Sequence, residues 1–298
     1  MALTFKQTTA KFAFMKHILI VFASIFILTG VSKAQYNPDP STAVTGEVGF
    51  SIGDAQYFGD LNTRADFSHP KITIGAMFAK QFGSYIGLKF SAHFAQLGYS
   101  DVYSKNVVQQ DRNLSFNTNI FELALQGQFN FFRFIPNQPG YQFTPYVTVG
   151  IGAFSYNPYA YLAGEKYYLR PLNTEGQGQP GRPAPYGTMA ACFPIGIGFK
   201  YNLGGNTNVF VEVAHRFTTT DYIDDVSTTY AGAAAFPTLA NGNPSPAYLL
   251  QDRSYDKVAT PIGIAGRQRG NSSQKDQYLF AEIGISFSLT SYRCPTAK

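Results

Sequence analysis

Residues 278–289, Tyr-Leu-Phe-Ala-Glu-Ile-Gly-Ile-Ser-Phe-Ser-Leu, alternate strictly between apolar side chains and small or polar ones. The apolar set comprises Leu279, Ala281, Ile283, Ile285, Phe287 and Leu289. Glu282 belongs to the other set. Because successive side chains of a strand point to opposite faces, one face of this strand can contact lipid while the other carries a charge. The pattern is typical of a strand in an outer-membrane β-barrel.

Seven further blocks alternate in the same way, and together the blocks predict an all-β fold, an eight-stranded antiparallel transmembrane β-barrel. They cover residues 45–53, 71–81, 84–97, 117–131, 143–154, 188–202 and 207–217. Short connections alternate with long ones, which span residues 54–70, 98–116, 155–187 and 218–276. Short periplasmic turns and long external loops are the usual asymmetry of bacterial barrels, and an even strand count places both chain ends in the periplasm.

The composition agrees with a membrane protein that has no spanning helix. Charged residues make up 14% of the chain, whereas roughly 25% is usual in soluble domains. After the first forty residues, no stretch approaches the ~18 continuous apolar residues of a membrane helix. A closed barrel is the remaining way to pair every backbone group in lipid. The aromatic residues at the block ends are expected to form girdles at the headgroups; they are Tyr57, Phe58, Tyr85, Phe131, Phe132, Tyr201, Phe217 and Tyr278.

The N-terminus has the features of a secretory signal peptide. Three lysines precede an apolar run at residues 18–28, and small residues follow at 32–34, so cleavage is expected after Ala34. The predicted divisions are a signal peptide at 1–34, a periplasmic segment at 35–44, the barrel at 45–290 and a periplasmic tail at 291–298. Loss of the leader with its four lysines lowers the formal charge from +5 to +1. The basic balance therefore gives no support for a nucleic-acid partner.

Seven charged residues lie on the face opposite the apolar one and are candidates for ion pairs in the lumen. They are Glu47, Lys89, Glu122, Lys200, Glu212, Arg216 and Glu282. An eight-stranded barrel is just wide enough for its own side chains, and unpaired charges would be very costly there. We therefore expect a hydrogen-bonded plug rather than an ion path, and not a general porin.

No pattern in the sequence indicates catalysis, a cofactor, a metal site or a small-molecule substrate. His69, His93 and His215 lie in separate blocks or loops without partners at ligand spacing. Ser91 lies near His93, but no catalytic motif includes this pair. The favoured interpretation is a histidine that is hydrogen-bonded inside the lumen. Asp221, Asp224 and Asp225 offer oxygen ligands for a cation, but a solvated acidic loop is the favoured interpretation. Glycine pairs such as Gly196 and Gly198 lie within strands, where they make room or permit a bend.

Two further features concern the loops and the cysteines. Residues 173–185 and 231–246 are rich in Pro, Gly, Asn and Ser, which predicts mobile surface loops. Cys192 is expected near the outer end of the sixth strand and Cys294 on the periplasmic side. Their separation, on the order of the ~25 Å barrel band, exceeds the ~7 Å Cα limit of a disulfide. A free Cys294 is the default expectation, with pairing to another chain as the alternative.

Several loop segments resemble the PorG-like barrels of Bacteroidota. The first is Tyr57-Phe58-Gly59-Asp60-Leu61-Asn62, followed by Phe143-Thr144-Pro145-Tyr146. Residues 220–230, Thr-Asp-Tyr-Ile-Asp-Asp-Val-Ser-Thr-Thr-Tyr, are the most specific segment. The others are Arg269-Gly270-Asn271, Asp276-Gln277-Tyr278 and Cys294-Pro295; Gln277 stands where the family pattern has Trp. The motif positions carried over are Tyr57, Gly59, Asp60, Asn62, Asp221, Tyr222, Asp224 and Asp225.

The resemblance implies a non-enzymatic outer-membrane component of the type IX protein secretion apparatus, which supports gliding in some species. It implies association with a periplasmic ring formed by a lipoprotein and its partner. Residues 291–298, including Arg293, Cys294 and Pro295, are available for that contact together with the periplasmic turns. Two alternatives stay open: a structural or adhesin-like barrel that acts through its external loops, and a lipid-modifying enzyme, which would need a catalytic cluster at the rim.

Overall fold

The computed structural model of the protein describes residues 42–292, with side chains described for residues 46–289. The predicted signal peptide at 1–34 lies outside the described residues, as do Arg293, Cys294 and Pro295. The first described strand begins at Thr42, slightly before the predicted start of the barrel.

The predicted eight-stranded antiparallel barrel is confirmed. The described residues form ten strands: β1 (Thr42–Phe58), β2 (Lys71–Gln81), β3 (Ile86–Ser100), β4 (Ser115–Asn130), β5 (Phe143–Ser155), β6 (Tyr159–Leu162), β7 (Glu165–Tyr168), β8 (Met189–Gly204), β9 (Thr207–Thr218) and β10 (Gln277–Tyr292). All except β6 and β7 form the barrel wall. β6 and β7 are a short hairpin in the third long connection that the sequence did not predict.

The wall is closed by pairing between its first and last strands. β1 and β10 pair antiparallel from Thr42 with Tyr292 to Phe58 with Gln277. The remaining order is β3-β2-β1-β10-β9-β8-β5-β4, and β4 pairs back onto β3. Each wall strand therefore has a hydrogen-bonded neighbour on both sides, which removes the free sheet edges that otherwise invite aggregation.

The two faces of the wall differ as the alternation predicted. Large apolar side chains on the outer face are between 44% and 62% exposed; they include Phe50, Ile52, Ile74, Phe90, Leu125, Ile151, Ile197, Ile283 and Ile285. Charged and polar side chains on the inner face are buried. An apolar band that encircles a closed barrel is the surface that lipid contact requires.

The outward facing of Ile283 leads to a prediction on stability. Ile283 pairs with Ile52 on one side and Val211 on the other, near the middle of β10. Replacement by arginine is expected to lower the free energy of unfolding by about 2–4 kcal/mol in lipid vesicles, because the charge would enter hydrocarbon. Urea titration followed by far-ultraviolet circular dichroism measures this, and Ile283→Leu serves as the matched control. An unchanged stability for the arginine variant would show that this face does not contact lipid.

The two ends of the barrel are built differently. At one end, Gly205 and Asn206 join β8 to β9, and Gly205 has a φ of +57°, the left-handed region that favours glycine. At the other end, the long connections contain two short helices, α1 (Val107–Arg112) and α2 (Pro246–Gln251), and several 3₁₀ turns. Among the described residues, each helix is too short and insufficiently apolar to cross a membrane.

Glycines inside the strands make room for large inward-facing rings. Gly198 of β8 lies directly opposite Tyr146 of β5. A Cβ atom on Gly198 would lie 2.5 Å from the Tyr146 ring. Gly75 similarly lies opposite His93 and leaves space for its ring. The strand glycines therefore shape the lumen, in agreement with their interpretation from the sequence.

Candidate functional site

Charged side chains from opposite walls pair across the lumen. Lys89 Nζ lies 2.7 Å from both carboxylate oxygens of Glu212, which also accepts a hydrogen bond from the Tyr146 hydroxyl at 2.9 Å. Lys200 Nζ lies 2.5 Å from Glu47 Oε2. All four ionic side chains are buried. Such pairs offset the cost of burial only when their geometry is good and the remaining polar atoms are also satisfied.

A second group of lumen contacts surrounds Glu122. Arg216 Nε and Nη2 each lie 3.3 Å from a different oxygen of this carboxylate, and the Tyr278 hydroxyl donates to it at 2.6 Å. Arg216 also donates from Nη1 to the carbonyl of Ala214 and lies 4.0 Å from the centre of the Phe280 ring. Arg216 and Glu122 are both 0% exposed. Removing either partner would leave a charge without compensation in the centre of the barrel.

His93 lies between two lumen carboxylates. Its Nδ1 is 3.5 Å from Glu122 Oε1, and its Nε2 is 3.2 Å from Glu282 Oε2. Glu282 also accepts a hydrogen bond from the Ser51 hydroxyl. The seven predicted lumen residues comprise four acids and three bases, so a protonated His93 would supply the fourth positive charge. Ser91 instead contacts Gln126.

Side chains fill most of the lumen. A cavity of about 20 Å³ lies among Lys89, His93, Glu212 and Glu282. This is room for about one water molecule. The charged residues that the alternation placed on the inner face therefore form a plug rather than the lining of a wide pore.

The four long connections fold together over the mouth of the barrel opposite the short turns. We call this arrangement the loop cap, and it consists of residues 59–70, 101–114, 156–188 and 219–276. Its interior contains buried apolar side chains, among them Leu61, Leu114, Ile223, Val226 and Leu250. It also contains buried polar side chains from every connection: Asn62, Asp101, Arg112, Thr174, Glu175, Asp221, Asp224, Asp225, Arg269 and Asp276. The cap therefore closes the end of the barrel opposite the short turns.

Arg269 is the basic centre of the cap. Its Nη1 lies 3.2 Å from Glu175 Oε1 and donates to the carbonyl of Asp225, and its Nε donates to the carbonyl of Gln251. Glu175 also accepts from the backbone N–H groups of Ser227 and Thr228. These contacts join the third and fourth connections around one buried guanidinium.

Arg112 joins the remaining connections. It forms two hydrogen bonds to the Asp101 carboxylate, from Nε at 2.8 Å and from Nη2 at 2.7 Å. It also donates to the carbonyls of Asp60 and Arg269. One side chain of the second connection thereby binds the first and the fourth.

Tyr57 connects the end of β1 to two acids of the fourth connection. Its hydroxyl lies 2.6 Å from Asp224 Oδ2 and 2.9 Å from Asp276 Oδ1. The hydroxyl has one proton to donate, so both contacts require a proton on one of the carboxyl groups. Burial raises the pKa of Asp224 and of Asp276 well above the ordinary range. Repulsion from Asp276 raises the pKa of Asp224 further, and repulsion from Asp221 and Asp60 raises that of Asp276. We therefore expect one of these two carboxyl groups to be protonated.

The other motif residues from the PorG-like resemblance also lie in the cap. Asn62 donates to the carbonyls of Tyr57 and Asp66 and accepts from the Asp66 N–H, which shapes the first connection. The Asp60 carboxylate accepts from the backbone N–H of Asn271 at 3.0 Å. A Cβ on Gly59 would lie 2.1 Å from Asp276 Oδ1, so this position admits no larger residue.

Asp225 and the aromatic rings around it complete the cap. The Asp225 carboxylate accepts from the hydroxyls of Thr174 and Tyr186, at 2.5 and 2.6 Å. The Tyr186 ring stacks on Tyr222, with centroids 4.5 Å apart. Asp221 accepts from the Ser227 hydroxyl at 2.5 Å.

The expectation of a solvated acidic loop at Asp221, Asp224 and Asp225 was wrong. These side chains are 3%, 1% and 0% exposed. The prediction of a surface loop at residues 173–185 was also wrong in its first part, because Thr174 and Glu175 are buried and fully engaged. Alternation describes only the strands, so it does not show that long connections can bury polar residues against one another.

The prediction that Tyr57 and Tyr278 belong to an aromatic girdle was wrong. Both side chains point inward and are buried. Tyr278 and Glu282 are four residues apart in β10, so their side chains point to the same face of the strand. Because Glu282 faces the lumen, the alternation already predicted that Tyr278 faces it too. Tyr85, Phe131, Phe132 and Phe217 are exposed near strand ends, as a girdle requires.

The sequence did not identify four residues whose side chains hold the cap together: Asp101, Arg112, Glu175 and Arg269. Arg269 belongs to a quoted motif segment, which was the available signal. Glu175 lies in a segment whose Asn, Gly and Gln residues predict a loop, and no local pattern marks it as buried. Among the described residues, no group of three or more His, Cys, Asp or Glu side chains has metal-binding geometry. Cys192 is buried in the lumen as a free thiol.

The buried acids make the loop cap sensitive to pH. Burial raises the pKa of Asp221 to about 7 and that of Asp225 to about 6. In an open cap, both would titrate near the ordinary value of about 3.9. A raised pKa in the closed form means that closure is most favourable below about pH 4 and weakens as the pH rises to about 7.

Hydrogen exchange of the backbone amides in residues 219–230 measures this effect after correction for the intrinsic exchange rates. Protection is expected to decrease from pH 5 to pH 7, and Asp221→Asn is expected to reduce the decrease. Protection that increases over this interval would contradict the assignment of these acids to a cap that closes with protons bound.

Comparisons with known proteins concern the family and the fold. The sequence profile of the family described as "Domain of unknown function (DUF6089)" matches residues 21–245. No curated protein matches the chain significantly in sequence. Neisserial surface protein A is 9% identical and has a TM-score of 0.39, over 83% of this chain and 99% of that one.

Two further solved barrels are similar at the same level. Ail of Yersinia pestis, solved in complex with the heparin analogue sucrose octasulfate, is 8% identical with a TM-score of 0.37, over 82% of this chain and 99% of that one. The N-terminal β-barrel domain of OprF from Pseudomonas aeruginosa is 12% identical with a TM-score of 0.33, over 82% and 97%. Similarities this low assign no activity.

Proposed function

We propose that this chain, which belongs to the DUF6089 family, is a non-enzymatic outer-membrane barrel that acts as an assembly component of the type IX secretion apparatus. Outer-membrane lipid would contact the apolar band. The periplasmic ring, formed by a lipoprotein and its partner, would contact the short turns and the tail at residues 291–298. Both chain ends would then lie in the periplasm.

One observation carries the structural part of this proposal: the barrel is closed twice. Buried ion pairs join side chains across the lumen, and the loop cap, held by Arg112 and Arg269, covers the end opposite the short turns. A lumen closed in this way offers no wide pore. A role as a scaffold uses the outer surface and the ends of the barrel instead.

The secretion role is supported by the positions of the motif residues. Four of the six segments that resemble PorG-like barrels are distant in sequence yet meet at the loop cap, where Tyr57 contacts Asp224 and Asp276 and Asp60 contacts Asn271. This convergence explains why such loop residues would recur in a family of closed barrels. It supports membership of the same functional class, which fold alone would not.

Deletion of the gene tests the proposal. We expect loss of type IX cargo from the culture medium and accumulation of that cargo in the periplasm, with rescue by the intact gene. Intact secretion in the deletion strain would overturn the secretion role. As a control, the amount of an unrelated outer-membrane barrel in the same strain should stay unchanged.

An adhesin-like role remains the second candidate because the second long connection exposes apolar side chains. Val102, Val107 and Val108 are between 55% and 65% exposed, well outside the apolar band. Isolation of a stoichiometric periplasmic partner favours the scaffold, whereas surface binding that is lost in Val107→Ser with Val108→Ser favours adhesion. Loss of an envelope-lipid modification in a folded His93→Ala variant would instead indicate an enzyme.

The closed lumen also predicts the electrical behaviour of the protein. In planar bilayers the barrel is expected to give no large stable conductance, because buried ion pairs join side chains across the lumen. The cavity among Lys89, His93, Glu212 and Glu282 has room for about one water molecule. Purified protein at neutral pH and symmetrical salt is suitable for this measurement. A large stable pore would contradict the plug.

A further inference from the structure

A groove lies at the outer rim, where two neighbouring strands differ in length. The pairing of β2 with β3 ends at Thr73 with Ala95, whereas β3 continues to Ser100 and stays paired with β4 up to Ser115. The chain before β2 runs past this protruding hairpin. Between them is a groove of about 500 Å³ that is open to one side. This volume is within the roughly 300–1,000 Å³ of small-molecule sites.

The groove is lined mainly by hydroxyl, amide and aromatic groups. Ser68, His69 and Lys71 form one wall, and Ser100 and Asn117 belong to the other. The full lining also includes Pro70, Gly98, Tyr99, Tyr103, Ser115 and Phe116. Hydroxyls and amides both donate and accept hydrogen bonds, which suits a ligand that carries many hydroxyl groups.

The groove also contains a cluster of aromatic rings and one lysine. The His69 ring stacks on Tyr103 with centroids 3.6 Å apart, and Tyr99 meets both rings edge-on. Lys71 is exposed in the lining. The nearby acid is Asp66, whose carboxylate lies 3.5 Å from His69 and accepts from the Tyr99 hydroxyl. An aromatic wall beside hydroxyls fits the apolar face and polar edge of a sugar ring, and Lys71 can contact an acidic substituent.

The height of the groove above the apolar band indicates which class of lipid could supply the sugar. On the outer face of β3 and β4, the last large apolar residues before the rim are Phe94 and Phe121, which lie opposite each other. Gly98 and Asn117 lie four residues further toward the rim. Four residues span ~13 Å along a strand, or about 10 Å of height at the usual tilt. This exceeds the ~5–8 Å depth of a phospholipid headgroup layer.

We propose that this groove binds a sugar of the outer-leaflet glycolipid whose acyl chains lie against β2, β3 and β4. The inference rests on the proposed outer-membrane location, with the long connections outside, but is independent of the secretion role. Phospholipid headgroups are too short to reach the groove, whereas the sugars of a lipopolysaccharide extend to its height. The lipid would thereby be held at one fixed position on the barrel.

Native mass spectrometry of the chain in nanodiscs tests this proposal. The discs contain phosphatidylethanolamine with a minor fraction of rough lipopolysaccharide, that is, lipid A with its inner-core sugars. The variants are Lys71→Gln and Asn117→Leu. Lys80→Gln is the matched control, since Lys80 is exposed at the opposite end of the same strand. Heat-modifiable migration on gels establishes that each variant is folded.

The wild-type chain and Lys80→Gln are expected to retain one lipopolysaccharide, whereas the two groove variants retain about five- to tenfold less, as the loss of one or two hydrogen bonds implies. Soluble inner-core oligosaccharide should compete, and inorganic phosphate alone should not. Equal retention by all variants, equal retention of lipid A without sugars, or displacement by phosphate alone would overturn the proposal. Intact type IX secretion in a deletion strain would leave it untouched.

Discussion

Replacing Arg216 by methionine is expected to lower the free energy of unfolding of the barrel by about 3–5 kcal/mol, the usual cost of removing one partner of a buried ion pair. Arg216 is fully buried and contacts both oxygens of Glu122, the carbonyl of Ala214 and the face of the Phe280 ring. Methionine keeps much of the volume but leaves the Glu122 carboxylate without its principal cation. His93, Tyr278 and the thiol of Cys192 then face that charge.

Urea unfolding in lipid vesicles, followed by far-ultraviolet circular dichroism, measures the change; the chain has no tryptophan for fluorescence. Arg64→Met, an exposed arginine in the first connection, is the matched control and should leave the stability unchanged. The double variant Arg216→Met with Glu122→Gln should recover part of the loss, because the uncompensated charge is gone. Equal stability of Arg216→Met and the wild type would contradict the role of this pair in the plug.

Replacing Arg269 by methionine is expected to open the loop cap while the barrel stays folded. The change leaves Glu175 and the backbone of Asp225 without the guanidinium that joins the third and fourth connections. Local closure should weaken by about 3–5 kcal/mol. Hydrogen exchange resolves the effect: protection in residues 173–177 and 223–230 should be lost, whereas protection in β10 should persist.

Arg267→Met is the matched control, because Arg267 is exposed only two residues away. It should leave the exchange pattern of the cap unchanged. Loss of protection throughout the wall in Arg269→Met would show that cap and barrel unfold together. Full protection of the cap in that variant would show that Arg269 does not hold it closed.

The wall of this protein could be predicted because its residues repeat with a period of two. Strand geometry alone places the side chains of Ile283 and Glu282 on opposite faces. Because the sheet closes into a barrel, every residue on the same face as Glu282 points into the lumen. The pairing partners within the lumen were not predictable, since they depend on the strand register. Nothing local in the sequence indicates that Lys89 meets Glu212 or that Lys200 meets Glu47.

The loop cap was less predictable for a different physical reason. Its acids are buried by contacts between segments that are far apart in sequence, such as Glu175 with Arg269 and Tyr57 with Asp224. Composition therefore indicated a solvated loop at the same residues that form the interior of the cap. Several of these positions belong to the motif segments, but the resemblance does not show that those segments pack against one another.

The central claim, that this closed barrel acts as an assembly component, is tested most directly by affinity capture from native membranes. A tag placed after Asn241, in an exposed bend between Thr238 and Pro244, leaves the periplasmic turns and the tail free. We expect a periplasmic lipoprotein and its partner in stoichiometric amounts, and loss of both when residues 291–298 and the turn at 133–142 are replaced. Recovery of the folded barrel alone, from cells that secrete type IX cargo normally, would contradict it.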